Sequence, residues 1–268
     1  MESPLHSLHQ KLLEQATKNH FLIENIYKTK PVDIVAFIKK SPHPHAPTIY
    51  ISGGIHGDEP AGSFAILKLL EEVYFNDAIN WIIIPILNPT GLEQGTRENK
   101  EGFDLNRDYK TPQTKEVAAH LKWFEKYQNT VFDLSLCLHE DWETPGFYAY
   151  SILPLKHMKI LDDIVQAVSK VSSLNLATEI EGLPASDGFI KHTNEEFQNI
   201  INKRDDWPEA FFLINRQKTP HFHFTFETPS EQSIDERSLI HCEAIKASIK
   251  SFLNNKQNNQ NNAKRLGP

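Results

Sequence analysis

The sequence predicts an α/β fold: one domain built on a mixed, mostly parallel twisted sheet with helices on both faces. Two observations lead there. Short runs rich in Ile, Val and aromatic residues, most of them bounded by Gly or Pro, alternate with longer segments whose apolar residues recur at helical spacing. At 268 residues and 39% hydrophobic content, the chain can also bury a sizeable core without a second domain.

Taken in order, residues 32–38 and 48–52 read as strands. Residues 60–74 read as a helix, because Phe64, Leu67, Leu70 and Val73 fall on one face with Ala61, and Pro60 suits a first helical turn. Between the two strands, His43 and His45 lie in a proline-rich stretch, 41–47, that reads as a loop. A third strand is expected at 81–87, a helix at 114–127 and a fourth strand at 131–138. Helices follow at 155–171, 194–202 and 234–253, the last packing back on the sheet. Phe224-Thr225-Phe226-Glu227-Thr228 is a short β-type alternation. The domain is therefore expected over residues 1–253. Residues 254–268, dominated by Asn, Gln and Lys, are too polar to pack and are expected to be disordered.

Charge and composition narrow the function. With 28 Lys and Arg against 35 Asp and Glu, the net charge is −7, which argues against nucleic acid or an anionic membrane as partner. Two cysteines, Cys137 and Cys242, make a disulfide framework unlikely. No apolar run approaches the length of a membrane span, and the first residues show no basic segment followed by an apolar one, so the cytoplasm is the expected location.

The chemistry concentrates in Gly53-Gly54-Ile55-His56-Gly57-Asp58-Glu59-Pro60, where a histidine and a carboxylate stand three positions apart after an apolar run. An imidazole and a carboxylate are ordinary zinc ligands, and a catalytic site needs a third protein ligand with one position left open. His139 is the natural third, since it ends the apolar run 131–138 and so sits at the tip of a buried strand, where open α/β sheets carry their sites. A His-x-x-Glu pair by itself matches often by chance, so the remaining motifs matter. They are Asn88-Pro89-Thr90-Gly91, then Thr96-Arg97, then Gly102-Phe103-Asp104-Leu105-Asn106-Arg107, and finally Phe224-Thr225-Phe226-Glu227. A glutamate between Phe and Thr in a strand is costly to bury unless it is paired or used.

In that order the motifs resemble those of the zinc carboxypeptidase superfamily, over roughly residues 48–229. The resemblance implies one Zn2+ held by His56, Glu59 and His139, with Glu227 as the general base. It also implies that Arg97 stabilises the oxyanion, that Asn106 and Arg107 grip the terminal carboxylate of the substrate, and that Asp104 supports His56 from behind. The residue types suit those roles. Arg97 keeps its charge without any proton transfer, the planar fork of Arg107 can bind two oxygens, and Asp104 could fix the tautomer of His56. Read without the motifs, Arg97 and Arg107 would be surface cations paired with Glu98, Glu101 or Asp108. Cys137, two residues before His139, is a conceivable ligand but reads better as a small core thiol. His221 and His223 could line the site rim or equally face solvent.

The spacing from Glu59 to His139 is much shorter than in the large digestive carboxypeptidases. It is more similar to a compact bacterial branch that includes murein-peptide amidases and, more distantly, the succinylglutamate desuccinylase and aspartoacylase group. The expected activity is zinc-dependent removal of a C-terminal amino acid from a peptide, with a cell-wall peptide as one candidate substrate. The alternatives are an N-acyl amino acid deacylase and a metal- or peptide-binding module without turnover; retention of Glu227 and Arg97 argues against the last. The expected partner is a peptide or N-acyl amino acid with a free carboxylate. The acidic segment 140–148 would suit a cationic side chain or be a solvated loop, and Tyr148, Tyr150 and Trp207 are candidates for a substrate-closing aromatic.

Overall fold

The Ile- and Val-rich runs become the buried centre of a sheet, because strands covered on both faces have no solvent side to carry polar residues. The computed structural model describes residues 3–156, 158–217 and 221–265, with side chains up to residue 256. Its strands are β1 (Leu22–Tyr27), β2 (Ile34–Lys39), β3 (Thr48–Gly53), β4 (Asn80–Ile84), β5 (Leu134–Asp141), β6 (Tyr148–Leu153), β7 (Glu179–Ile180), β8 (Leu183–Ser186), β9 (Phe189–Thr193) and β10 (Phe222–Pro229). The helices are α1 (Pro4–Lys18), α2 (Ala61–Glu71), α3 (Pro89–Gln94), α4 (Lys115–Phe124), α5 (Lys159–Val168), α6 (Asn194–Ile201), α7 (Glu209–Asn215) and α8 (Ile234–Arg265).

The strands form one sheet in the order β1-β2-β4-β3-β5-β10-β6-β9-β8-β7. Its centre, β4-β3-β5-β10, is parallel. Antiparallel pairs extend it on both sides, β1 and β2 at one edge and β6, β8 and β7 toward the other, with one further parallel pair between β6 and β9. On one face α1, α2, α5 and α8 bury Leu12, Leu69, Ile164 and Ile245 against Ile51, Leu136 and Phe224. On the other, α4 and α7 bury Val117, Phe124 and Leu213 against Tyr50, Ile84 and Cys137. Helices thus cover both faces, as the alternation of elements predicts.

Every strand and helix expected above exists, with ends moved by a few residues. The strand expected from 131 starts at Leu134, and the helix expected over 155–171 is confined to Lys159–Val168. The tail departs from expectation. Helix α8 continues past residue 253 to Arg265, and Lys256 holds Asp133 at 2.7 Å, so the first part of the polar segment gains an anchor on the domain. Residues 266–268 lie outside the described residues. No described helix is long and apolar enough to cross a membrane.

Candidate active site

Three parallel strands, β3, β5 and β10, end together, and the polar groups come from the last residues of β5 and β10 and from the loop that leaves β3. After β3 the chain turns through Gly54, whose φ of +61° favours glycine, and enters the segment 55–60 that precedes α2. Gly57 lies against the backbone of Gly91, so closely that a β-carbon would stand 1.8 Å from its carbonyl carbon. The Asn88-Pro89-Thr90-Gly91 turn therefore packs directly on the histidine loop. Asn88 holds that turn by accepting the Gly91 N–H at 2.9 Å and donating to the Arg97 carbonyl at 3.3 Å.

On this frame His56, Glu59 and His139 come together, all buried, with one ligand-type atom of each within 4.8 Å of the others. His56 Nδ1 lies 2.6 Å from Glu59 Oε1, and His139 Nδ1 lies 2.9 Å from Glu59 Oε2. The opposite nitrogen of His56, Nε2, is 3.2 Å from Asp104 Oδ1. Arg97 donates from Nε to Asp104 Oδ2 at 3.0 Å, and its Nη1 reaches within 3.3 Å of His56 Nδ1 and 3.5 Å of Glu59 Oε1. Glu227 is opposite His139 in the β5–β10 ladder and opposite Tyr148 in the β10–β6 ladder, so base candidate, histidine and tyrosine stand in one row across three strands.

Charge in this cluster is strongly coupled. Burial alone would push the Glu59 carboxyl up, but the two imidazoles beside it outweigh that and hold it well below the usual carboxylate range. Burial would lower His56, yet Glu59 and Asp104 together raise it. Glu227 is raised well above the usual range, by burial first and then by the charges of Glu59 and Asp141. Two nitrogens and a carboxylate converging in a buried corner, with a further carboxylate behind one imidazole, suit a divalent cation of the zinc type.

Asn106 and Arg107 adjoin this cluster through Asp104, whose Oδ1 also accepts the Asn106 N–H at 2.8 Å. Arg107 is largely exposed; its Nη1 donates to the Asn106 carbonyl at 2.8 Å and its Nε lies 3.5 Å from Asp206. Asn106 is buried, and its Oδ1 accepts the N–H of Glu209 at 2.9 Å. Neither arginine takes the surface partners that a motif-free reading suggests, since Arg97 pairs with Asp104 and Glu59. Cys137 is a buried free thiol facing Glu209. His221 and His223 do not face solvent: both are buried and share Ser135 Oγ, at 2.8 and 2.7 Å, and His223 continues to Thr225 at 3.0 Å. Their alternation with Phe222 and Phe224 fits a site rim or a solvent-facing stripe equally, yet the Ser135 hydroxyl on β5 makes them interior.

Two supports escaped the sequence reading. Glu140 donates its N–H to Glu59 at 3.1 Å, while its carboxylate accepts the Ala61 N–H at 2.6 Å and pairs with Arg237 from α8. Glu209, at the start of α7, is fully buried beneath the strand ends. No motif singles out Glu209 in the sequence, and only the packing of α7 on the sheet places it inside.

The model for the succinylglutamate desuccinylase/aspartoacylase catalytic domain matches residues 45–198, more than half of the chain. The chain belongs to this family. The matched stretch contains His56, Glu59, Arg97 and His139. In this desuccinylase/aspartoacylase family member, 78 residues are 31% identical to carboxypeptidase 2 of Trichophyton tonsurans, covering 26% of the chain and only 14% of that protein. A longer stretch, 123 residues, is 29% identical to the N-alpha-acetyl-L-2,4-diaminobutyric acid deacetylase of Halomonas elongata, covering 45% of the chain and 34% of that protein. In fold, a candidate metallopeptidase from Shewanella denitrificans OS217 superposes with a TM-score of 0.78 at 22% identity, over 92% of this chain and 89% of that one. Carboxypeptidase A from Helicoverpa armigera superposes with a TM-score of 0.63 at 14% identity, over 94% and 73%. The family member thus has the carboxypeptidase fold.

Proposed function

We propose that this protein is a zinc-dependent hydrolase that removes a C-terminal amino acid from a peptide. The observation that carries the reading is the row in which Glu227 stands beside His139, itself 2.9 Å from Glu59. His56, Glu59 and His139 would hold a single Zn2+. When bound, the ion supplies a Lewis acid that polarises the scissile carbonyl and makes water a competent nucleophile near neutral pH.

The chain supplies the rest. Glu227 takes a proton from the attacking water and delivers it to the departing amine, and its raised proton affinity suits a group that must hold and release one. Arg97, kept in place by Asp104, offers its guanidinium to the charge developing on the carbonyl oxygen. Asn106 and Arg107 receive the substrate's free carboxylate; for Arg107 this requires exchanging its loose contact with Asp206, 3.5 Å away, for the substrate. Asp104 holds His56 in the tautomer that leaves Nδ1 facing Glu59. The two buried, unpaired cysteines fit work in the cytoplasm.

A second reading, deacylation of an N-acyl amino acid, is favoured by the family match and by the Halomonas elongata relative. It uses the same base, cation and carboxylate grip. The deciding experiment assays amine release by zinc-loaded protein against free C-terminal peptides, their C-terminal amides, γ-glutamyl cell-wall peptides and N-acyl amino acids. Turnover confined to peptides with a free terminal carboxylate supports the carboxypeptidase reading. Preference for N-acyl amino acids establishes the deacylase, and silence across the panel by zinc-replete protein rejects both.

A further inference from the structure

Glu209 is a carboxylate buried beneath the site that the mechanism above does not use, and four contacts define what it does. Tyr50 donates its hydroxyl to Oε1, Ser52 donates to Oε2 at 2.7 Å, and the Cys137 thiol points to Oε2 at 3.5 Å. Its own backbone N–H donates to Asn106 Oδ1 at 2.9 Å. Ser52 and Cys137 are register partners on β3 and β5, the two strands whose ends lead to His56 and His139. One residue therefore joins the strands beneath the metal cluster to the segment that carries Asn106 and Arg107. A second tie runs alongside, since the Tyr109 N–H donates to the Trp207 carbonyl at 3.1 Å.

We infer that Glu209 is a positioning residue that orients Asn106 toward the substrate carboxylate and sets its distance from the metal ligands. The inference rests on the proposed role of Asn106. By occupying Oδ1, the Glu209 N–H fixes which way the Asn106 amide is turned and leaves the Nδ2 donor end for an anion. The buried carboxylate, gripped from β3 and β5, keeps that N–H in place. A carboxylate alone would be costly at this depth, and its donors offset the cost only while the backbone on both sides stays in register.

The test compares Glu209→Ala, Glu209→Gln and Asn106→Ala in the zinc-loaded enzyme, on the substrate that the panel above identifies. It reads kcat, KM, zinc content, melting temperature and the inhibition constant of acetohydroxamate, a metal-directed probe without a carboxylate. Glu209→Ala is expected to raise KM about tenfold, as for one misplaced hydrogen bond, while kcat changes little and zinc content and hydroxamate affinity stay the same. Glu209→Gln, which keeps the shape and one acceptor, should recover most of the loss. Unchanged KM overturns the inference, as does a parallel loss of kcat and hydroxamate affinity, which marks a purely structural role. If Glu209→Ala does not fold, Ser52→Ala, which removes one donor to the carboxylate, is judged by the same criteria. Unchanged KM in Asn106→Ala rejects the substrate role of Asn106 itself; raised KM there with no effect at Glu209 rejects only the present inference.

Discussion

Glu227 and His139 are direct register partners on adjacent parallel strands, held opposite one another by the backbone ladder between β10 and β5. A loop could place two such side chains together only at an entropic cost, whereas strand pairing fixes their separation as part of the core. The third member of the cluster, Glu59, reaches across from the loop after β3 and contacts His139 and the Glu140 N–H at once. Of the residues proposed for the base and the metal corner, Glu227 and His139 thus lie within paired strands, and His56 and Glu59 lie on the loop after β3.

The assignment of Glu227 predicts a separation of binding from turnover. Glu227→Gln keeps the volume but cannot shuttle a proton, so kcat should fall by about 10²–10⁴. Zinc content, measured by atomic emission, should remain near one per chain. Full activity in the variant would remove Glu227 from the proposed mechanism.

His139→Ala predicts the opposite pattern. It deletes one of three donors and leaves Glu59 with a single imidazole neighbour, so zinc should be lost on dialysis and activity with it. Retained stoichiometric zinc would mean that another side chain completes the site. Chelator treatment of the unaltered protein should abolish turnover, and added Zn2+ should restore it.

Gly57→Ala should fail for a steric reason alone. Its β-carbon would fall 1.8 Å from the Gly91 carbonyl carbon, and neither backbone can withdraw without moving His56 or Asn88. We expect poor soluble yield, or a folded protein with impaired zinc binding. A variant with unchanged melting temperature and zinc affinity would contradict this packing.

Acid should destabilise the fold through histidines remote from the metal corner. Burial holds His120 down to about 3, and holds His221 down to about 4 despite its bond to the Phe132 carbonyl. Both lie below the ordinary 6.5, so the unfolded chain takes up protons that the folded one refuses. Their contribution is present in full above about pH 6.5 and is lost as pH falls toward about 4. Melting temperatures recorded from pH 7.5 to 4.5 in metal-free buffer should decline over that window, and a flat profile would show that these side chains are not buried as described.

How much could be read in advance depended on how local the cause was. The strands and helices around the site follow from apolar periodicity and from Gly and Pro, signals that act within about ten residues. Helices α1, α3 and α7 and strands β1 and β6 to β9 were not anticipated. In α1, Ser3 caps the helix and Leu5, Leu8 and Leu12 face the core, a pattern diluted by the intervening His and Gln residues. Strands β7 and β8 are too short and too exposed to carry a period.

By itself the sequence determined the α/β alternation, the order of the motifs and the identity of the His56, Glu59 and His139 set, because each motif is a short run whose chemistry is visible in its letters. Only the tertiary structure decided which polar residues beyond those motifs are interior. His221 and His223 fit a site rim or a solvent-facing stripe equally until Ser135 on β5 binds both, and Glu209 belongs to no motif, its place set only when α7 lays it under β3 and β5. The reason is physical: a polar side chain is stable inside only if other residues supply its partners, and the partners named here on β3 and β5 lie from 72 to 159 positions away in the chain.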